Sequence, residues 1–170
     1  SFWRSRCGSV MQDGYIFSDT IASNIALSDK TTDENKLSKA ISSANLNDFI
    51  ALLPMGTSTR IGQDGAGISE GQKQRILIAR AIYRNPEYLF FDEATNSLDA
   101  FNERIIVENL ALFFKGKTVV IVAHRLSTVR NADQIVVLEK GEVAEQGTHD
   151  ELLQLKGYYF KLIRNQLETV

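Results

Sequence analysis

A chain of 170 residues suits one domain, or one domain with a subdomain, and can bury about 70% of its unfolded surface. Its net charge of −2, with charges scattered along the chain, gives no reason to expect a nucleic-acid partner. The single cysteine, Cys7, excludes an internal disulfide framework, and no apolar run approaches the ~20 residues of a membrane-spanning helix. No signal-peptide pattern opens the chain, so we expect a protein that faces the cytoplasm.

The first half of the chain predicts one strand followed by helices. The expected elements are a strand over 5–11, short helices over 20–26 and 47–53, a loop over 55–67 and a helix over 70–84. Between the two short helices, Thr32 is expected to cap a helix with apolar residues at helical spacing: Leu37, Ala40, Ile41 and Ala44.

Strands and helices alternate after residue 86. The expected elements are strands over 88–91 and 118–123, helices over 102–114 and 126–130, a hairpin of 135–138 with 143–146, and a helix begun by a Thr148–Glu151 capping box. Such alternation is typical of an α/β sheet. The prediction is therefore a helical subdomain over about 13–85, attached to part of an α/β core formed by 1–12 and 86–170.

The four residues at 69–72 (SEGQ) open the predicted helix over 70–84. Ser69 can cap this helix, and Gln72 completes a capping box. A helix N-terminus offers free N–H groups and a positive dipole end, which suit a phosphate, and Gly71 would let an anion approach the backbone. From these four residues alone, an ordinary capped helix is the better interpretation.

Two adjacent carboxylates, Asp92 and Glu93, end the apolar strand at 88–91. Ligands of α/β proteins bind at the carboxyl ends of parallel strands. Asp92 could hold Mg²⁺ through water, and Glu93 could orient an attacking water molecule. The alternative is a strand that simply ends in solvated acids.

Three further residues carry little information when each is taken alone. His124 follows the second buried strand and would lie near Glu93 if the two strands are neighbours. The amide of Gln12, before a glycine turn, could reach a metal or water. Asp99 could equally be a helix N-cap.

In order along the chain, these residues resemble the Q-loop, signature motif, Walker B strand, D-loop and H-loop of ABC-type ATPases: Gln12, Ser69-Glu70-Gly71-Gln72, Asp92-Glu93, Asp99 and His124. The later stretches 123–129 (AHRLSTV) and 146–153 (QGTHDELL) are similar to the exporter subfamily in particular. Glu70 is similar to the residue found in peptide or bacteriocin exporters that carry a peptidase domain.

This resemblance implies the C-terminal part of a P-loop NTPase-type core, mostly a parallel sheet with flanking helices, together with a helical subdomain. It implies a function in ATP-driven export of a peptide, lipid or drug-like substrate, with ATP and Mg²⁺ as cofactors. The implied roles are water activation by Glu93, metal binding by Asp92, contact with the terminal phosphate by His124, and sensing of metal and water by Gln12.

The resemblance also implies two kinds of protein partner. Two copies would associate head to tail, so that Ser69, Gly71 and Gln72 close on ATP held by the other copy and Asp99 signals across the interface. Gln12 and residues 13–17 would face the coupling helices of a transmembrane domain, which places the chain at the cytoplasmic face of a membrane.

The sequence also departs from the family pattern. It contains no Gly-x-x-x-x-Gly-Lys-Ser/Thr phosphate loop, it reads ISEGQ where the signature usually reads LSGGQ, and Gln63 stands where exporters often carry glutamate. We therefore expect a domain truncated before the Q-loop, with little or no ATPase activity by itself and an exposed sheet edge. The alternatives are a soluble ABC ATPase that acts on nucleic acid or ribosomes, and a short regulatory or dimerisation module.

Overall fold

The computed structural model describes residues 2–27, 31–63, 65–123 and 125–168. The chain divides into two compact units, Ser1–Val122 and Ala123–Val170. The expected division into a helical subdomain over 13–85 and a core from the rest of the chain stays a prediction. No helix in the described ranges combines the length and apolar character needed to cross a membrane.

The first unit combines a parallel sheet with helices. Its elements are α1 (Phe2–Arg6), β1 (Cys7–Val10), β2 (Asp19–Thr20), α2 (Ile21–Ala26), α3 (Glu34–Ser43), α4 (Asn47–Ala51), a 3₁₀ turn (Gly56–Ser58), β3 (Arg60–Ile61), α5 (Glu70–Arg84), β4 (Tyr88–Asp92), α6 (Ala100–Phe113) and β5 (Thr118–Val122). The sheet has the order β1-β4-β5, and both pairings are parallel. The expected α/β class is confirmed.

The register of the sheet aligns the three carboxyl ends. Val10 pairs with Phe91, and Asp92 pairs with Val122. Since all three strands run in the same direction, the residues that follow β1, β4 and β5 lie at one edge of the sheet.

Helix α5 lies at the centre of the first unit, against α2, α3 and β1. Its apolar residues recur at helical spacing, and Ile76, Ile78 and Ala79 are completely buried. The helix ends at Asn85 in the left-handed conformation, one residue before Pro86, which cannot continue a helix. The predicted bounds of this helix, 70–84, are confirmed.

Four predictions of local structure need correction. The predicted strand over 5–11 is the shorter β1, Cys7–Val10, and residues 5 and 6 belong to α1. Thr32 is not the cap of α3: the Asp33 carboxylate accepts from the backbone N–H groups of Asn35 and Lys36 at 3.0 and 3.1 Å. Helix α6 starts at Ala100 rather than at residue 102 because Asp99 caps it. The predicted loop over 55–67 contains β3, which pairs antiparallel with β2.

The second unit is a hairpin with three helices. Its elements are α7 (Leu126–Val129), β6 (Ile135–Glu139), β7 (Glu142–Gly147), α8 (His149–Leu155) and α9 (Tyr158–Glu168). The hairpin turn, Lys140-Gly141, has two positive φ angles (52° and 83°), as a type I′ turn requires. A small core contains Ile135, Val137, Leu152 and Tyr159. The predicted hairpin is confirmed.

Candidate functional site

The carboxylates Asp92 and Glu93 lie where β4 ends, at the edge that also carries the ends of β1 and β5. Gln12 follows β1 in a turn closed by a bond from the Gly14 N–H to the Met11 carbonyl at 3.3 Å, and its side chain is exposed. His124 lies outside the described residues. The expectation that His124 lies near Glu93 required the two strands before them to be neighbours. Strands β4 and β5 are neighbours in the sheet.

Glu93 has a strained backbone. Its φ is +48°, a left-handed conformation that costs roughly 1–3 kcal/mol for a residue other than glycine. The Glu93 N–H donates to the Val122 carbonyl at 2.9 Å, which extends the β4–β5 ladder by one bond. The Asn96 side-chain amide donates to Glu93 Oε2 at 2.5 Å. Asn96, which the sequence reasoning did not single out, thus holds the carboxylate of Glu93.

The donor set at the end of β4 suits Mg²⁺ bound together with phosphates. The described residues contain no group of three or more His, Cys, Asp or Glu side chains that could enclose a metal ion. Mg²⁺ keeps several waters and is bound in such sites by one or two carboxylates plus the phosphates of the substrate. Asp92, half-buried at the strand end, can supply a carboxylate of this kind.

The N-terminus of α5 carries a complete capping box. The Gln72 N–H donates to Ser69 Oγ at 3.2 Å, and the Ser69 N–H donates to the Gln72 side-chain oxygen at 2.9 Å. The first N–H groups of a helix have no partner within the helix, so those of Glu70 and Gly71 remain available to a ligand. A phosphate fits this end of the helix.

At the start of α5, Gly71 packs against the protein and Glu70 faces solvent. A Cβ atom at Gly71 would lie 3.2 Å from the Ser97 carbonyl oxygen, so the helix start packs tightly against the segment before α6. The Glu70 side chain is 76% exposed and pairs with Lys73 at 3.4 Å. The additional negative charge therefore points to solvent and has a cation beside it.

Asp99 is the N-cap of α6. Its carboxylate accepts from the backbone N–H groups of Phe101 and Asn102 at 3.1 and 3.0 Å and from the Asn102 side chain at 2.6 Å. The hydrogen bonds from Asn102 hold the pKa of Asp99 below its usual value. Its suggested second role, signalling between two copies, stays a prediction.

Arg75 joins α5 to the start of α6. Its guanidinium donates to the Asn45 carbonyl at 2.6 Å and to the Asn102 side-chain oxygen at 3.2 Å. Burial lowers the pKa of Arg75, and the nearby Asp99 carboxylate opposes that change. The sequence reasoning missed this arginine, although it fixes the helix that carries Ser69 relative to the helix that Asp99 caps.

A buried asparagine and a half-buried arginine hold the segment that follows Gln12. Asn24, completely buried, accepts from the Phe17 N–H at 2.8 Å and donates to the Phe17 carbonyl at 3.0 Å. Arg80 donates to the Asn24 and Tyr15 carbonyls at 2.7 and 3.0 Å, and burial lowers its pKa to about 10. The rings of Tyr15 and Phe17, 62% and 45% exposed, meet edge to face with centroids 5.0 Å apart.

The tripeptide Gly116-Lys117-Thr118 matches the end of a phosphate loop but occupies a different position in the fold. It leads from α6 into β5. A phosphate loop runs from a strand into a helix, whose N-terminus then faces the phosphates. This tripeptide therefore does not form a phosphate loop.

A parallel sheet whose central strand, β4, ends in two adjacent carboxylates, together with a capped, glycine-containing helix start, is typical of a nucleotide-binding ATPase core. A family model described as "ABC transporter" matches residues 1–96. The chain belongs to the ABC transporter family.

Individual relatives and a solved structure agree with this assignment. The chain is 49% identical over 166 residues to multidrug resistance protein 1 of Entamoeba histolytica, covering 96% of this chain and 13% of that protein. It is 48% identical over 165 residues to the leukotoxin translocation ATP-binding protein LktB of Mannheimia haemolytica, covering 96% and 23%. The structure of a bacterial Atm1-family ABC exporter with ATP bound matches with a TM-score of 0.91 and 40% identity, covering 96% of this chain and 29% of that chain.

The resemblance to the ATP-binding domains of ABC exporters is thereby confirmed. The chain spans less than a quarter of the length of these two relatives. The similarity to exporters with a peptidase domain stays a prediction.

Proposed function

We propose that this chain is an ATP-binding and ATP-hydrolysing part of an ABC exporter and drives transmembrane export through ATP-dependent association of two nucleotide-binding domains. The observation that carries this proposal is the position of Asp92 and Glu93 at the shared carboxyl edge of β1, β4 and β5. The names of the relatives, which refer to multidrug resistance and leukotoxin translocation, support export as the process.

The proposed chemistry at the strand ends divides between four side chains. Mg²⁺, when bound, would neutralise charge on the phosphates of ATP, and Asp92 would hold it through water. Glu93, held by Asn96, would orient and polarise the attacking water. Gln12, in the turn after β1, would sense the metal and water, and His124 would contact the terminal phosphate.

The proposed partner in catalysis is a second nucleotide-binding domain. Ser69, Gly71 and Gln72 would close on the phosphates of ATP held by that domain, with the free N–H groups at the start of α5 as donors. The bonds from Arg75 support this arrangement because they keep the start of α5 fixed relative to α6. Asp99, at the start of α6, would lie at the interface and signal across it.

The proposed membrane contact is made by the segment after Gln12. Tyr15 and Phe17 are exposed apolar rings on a backbone that Asn24 and Arg80 hold in place. Such a fixed apolar pair suits packing against the coupling helices of a transmembrane domain at the cytoplasmic face of the membrane.

ATP hydrolysis by the chain in its exporter context tests the proposal. The chain would replace the matching segment of an ABC exporter, and hydrolysis would be compared for the parent, Glu93→Gln and Glu87→Gln. Loss of the water-polarising carboxylate should reduce turnover by about 10²-fold or more. Glu87 pairs with Arg6 at 3.1 Å, away from the strand ends, and its substitution should leave the rate unchanged. Full activity in Glu93→Gln would contradict the proposal.

The isolated chain should show little or no turnover, because phosphoryl transfer depends on clamping the phosphates and the sequence contains no phosphate loop. ATP hydrolysis by the isolated chain that Glu93→Gln abolishes would show this expectation to be wrong.

A further inference from the structure

A basic pocket of about 510 Å³ lies in the first unit, apart from the strand ends and the start of α5. Its walls come from α3, the C-terminal end of α5, and the C-terminal end of α6 with the connection to β5. Four lysines line it: Lys36, Lys39, Lys115 and Lys117. None of the strand-end or signature residues discussed above lines it.

The concentration of positive charge in this pocket is unusual for the chain. Four of its nine lysines line one pocket, although the net charge of the chain is −2. Among the described residues that line the pocket, none is acidic, and no ion pair of these lysines occurs in the described structure. Like charges held close together repel each other, so an anion placed among them would be favourable.

The lysines lie on two segments of the chain, and hydrogen bonds hold the walls of the pocket together. Lys36 and Lys39 lie three residues apart on α3 and therefore on one face of it. The Asn109 side chain on α6 donates to the Ser43 carbonyl at 3.0 Å, which joins α6 to the end of α3. Lys117 Nζ donates to the Asn85 side-chain oxygen at 2.8 Å, which joins the connection to the end of α5. The walls are therefore fixed before a ligand arrives.

We propose that this pocket binds a phosphate-bearing anion. Its volume falls within the range of about 300–1,000 Å³ that is usual for small-molecule sites, so it has room for more than one phosphate group. Lysine ammonium groups bind phosphate as point charges and need no fixed planar geometry. The phosphate can belong to a soluble compound or to a lipid headgroup, and the experiment separates these two sources. The site is independent of the proposed ATP chemistry.

Titration of inorganic pyrophosphate into the full chain, followed by calorimetry, tests the pocket. Saturable binding is expected, and the double variant Lys36→Gln/Lys39→Gln should weaken it by about tenfold or more. Lys115→Gln, in the connection between α6 and β5, should also weaken it. A control variant, Arg4→Gln/Lys161→Gln, removes the same charge elsewhere and should bind as the parent does. Thermal unfolding checks that all variants keep the fold, since these side chains are exposed.

A vesicle assay identifies the source of the phosphate. If vesicles of phosphatidylcholine with phosphatidic acid bind the chain and pyrophosphate competes, the pocket takes a lipid headgroup. If pyrophosphate binds and the vesicles do not, it takes a soluble anion. No binding of either probe, or equal binding by the parent and the Lys36→Gln/Lys39→Gln variant, would overturn the proposal. Because Lys36 and Lys39 line the pocket and lie away from the start of α5, their substitution separates these outcomes from phosphate binding in the proposed ATP chemistry.

Discussion

The chain forms the same kind of helix start twice, once in each unit. At α5, the Ser69 hydroxyl accepts from the Gln72 N–H, and the Gln72 side chain accepts from the Ser69 N–H. At α8, Thr148 and Glu151 make the equivalent pair of bonds at 3.4 and 2.8 Å. The two helices differ in the residues that lie between the N-cap residue and its box partner, the residue three positions later that completes the capping box.

The difference decides which helix start can receive an anion. The first turn of α8 carries Asp150 and Glu151, which already complement the helix dipole and would repel a phosphate. The first turn of α5 carries Glu70 beside Lys73, then Gly71 and the neutral Gln72. A capping pattern therefore predicts where a helix begins, and the charge and size of the next residues indicate whether its free N–H groups can serve a ligand.

The two helices also differ in how deeply they are packed. Over its fully described length, α5 buries eight residues, whereas α8 buries Leu152 alone. The helix start that we propose to contact ATP is thus attached to the main core of the first unit. Its position should be much harder to disturb than that of α8.

The largest effect is expected for Ile78→Ala in α5. Ile78 is 0% exposed, so its truncation leaves a cavity in the main core and should reduce the free energy of unfolding by about 3–4 kcal/mol. The matched variant Leu155→Ala in α8 removes a side chain that is 64% exposed and should cost less than about 1 kcal/mol. Urea unfolding of both variants measures the difference. Equal losses would show that α5 is no better anchored than α8.

Local patterns predicted both helix starts correctly, because a capping box depends on residues only three positions apart. The same reasoning placed a cap at Thr32 instead of Asp33, two neighbours that are both good caps, so the pattern alone could not choose between them. The short β2–β3 pair was missed because it joins residues about forty positions apart in segments without strand-like alternation.

At the candidate site, the sequence alone predicted the order of the motifs but not the contacts that support them. The strand order β1-β4-β5, which brings Gln12 to the same sheet edge as Asp92 and Glu93, is a feature of the tertiary structure. The bond from Arg80 to the Tyr15 carbonyl joins residues 65 positions apart. Such contacts leave no local signal in one sequence, so the sequence alone does not single out Arg75 or Arg80.

A smaller effect is expected when the caps themselves are removed. Ser69→Ala and Thr148→Ala each delete a hydroxyl that accepts a backbone N–H bond, and each should destabilise its own helix by about 1 kcal/mol. Amide hydrogen exchange in the first turns of α5 and α8 measures the two losses separately. Ser69→Asp, which keeps an N-cap oxygen, should recover most of the loss. No change in Ser69→Ala would show that the bond at 3.2 Å does not stabilise α5.

The smallest effect is expected at acid pH, where the starts of α5 and α8 should respond differently because their capping boxes contain different side chains. The box partner at α8 is Glu151, which titrates, whereas that at α5 is Gln72, which does not. Bonds from the backbone and side chain of Thr148 hold the pKa of Glu151 below its ordinary value of 4.5. The box at α8 is therefore fully stabilising above pH 4.5 and loses this contribution as the pH falls through the lower folded pKa, because protonation removes the acceptor.

The NMR signal of the Thr148 amide should report this loss directly. Its chemical shift should titrate with a midpoint below pH 4.5, and the Ser69 amide should show no matching step. In Glu151→Gln the step at Thr148 should disappear while the bond to its N–H is kept, which makes α8 behave like α5. A midpoint at or above 4.5 would mean that the ionised carboxylate gains nothing from Thr148. A step at Ser69 would mean that a titrating group other than Gln72 acts on the start of α5.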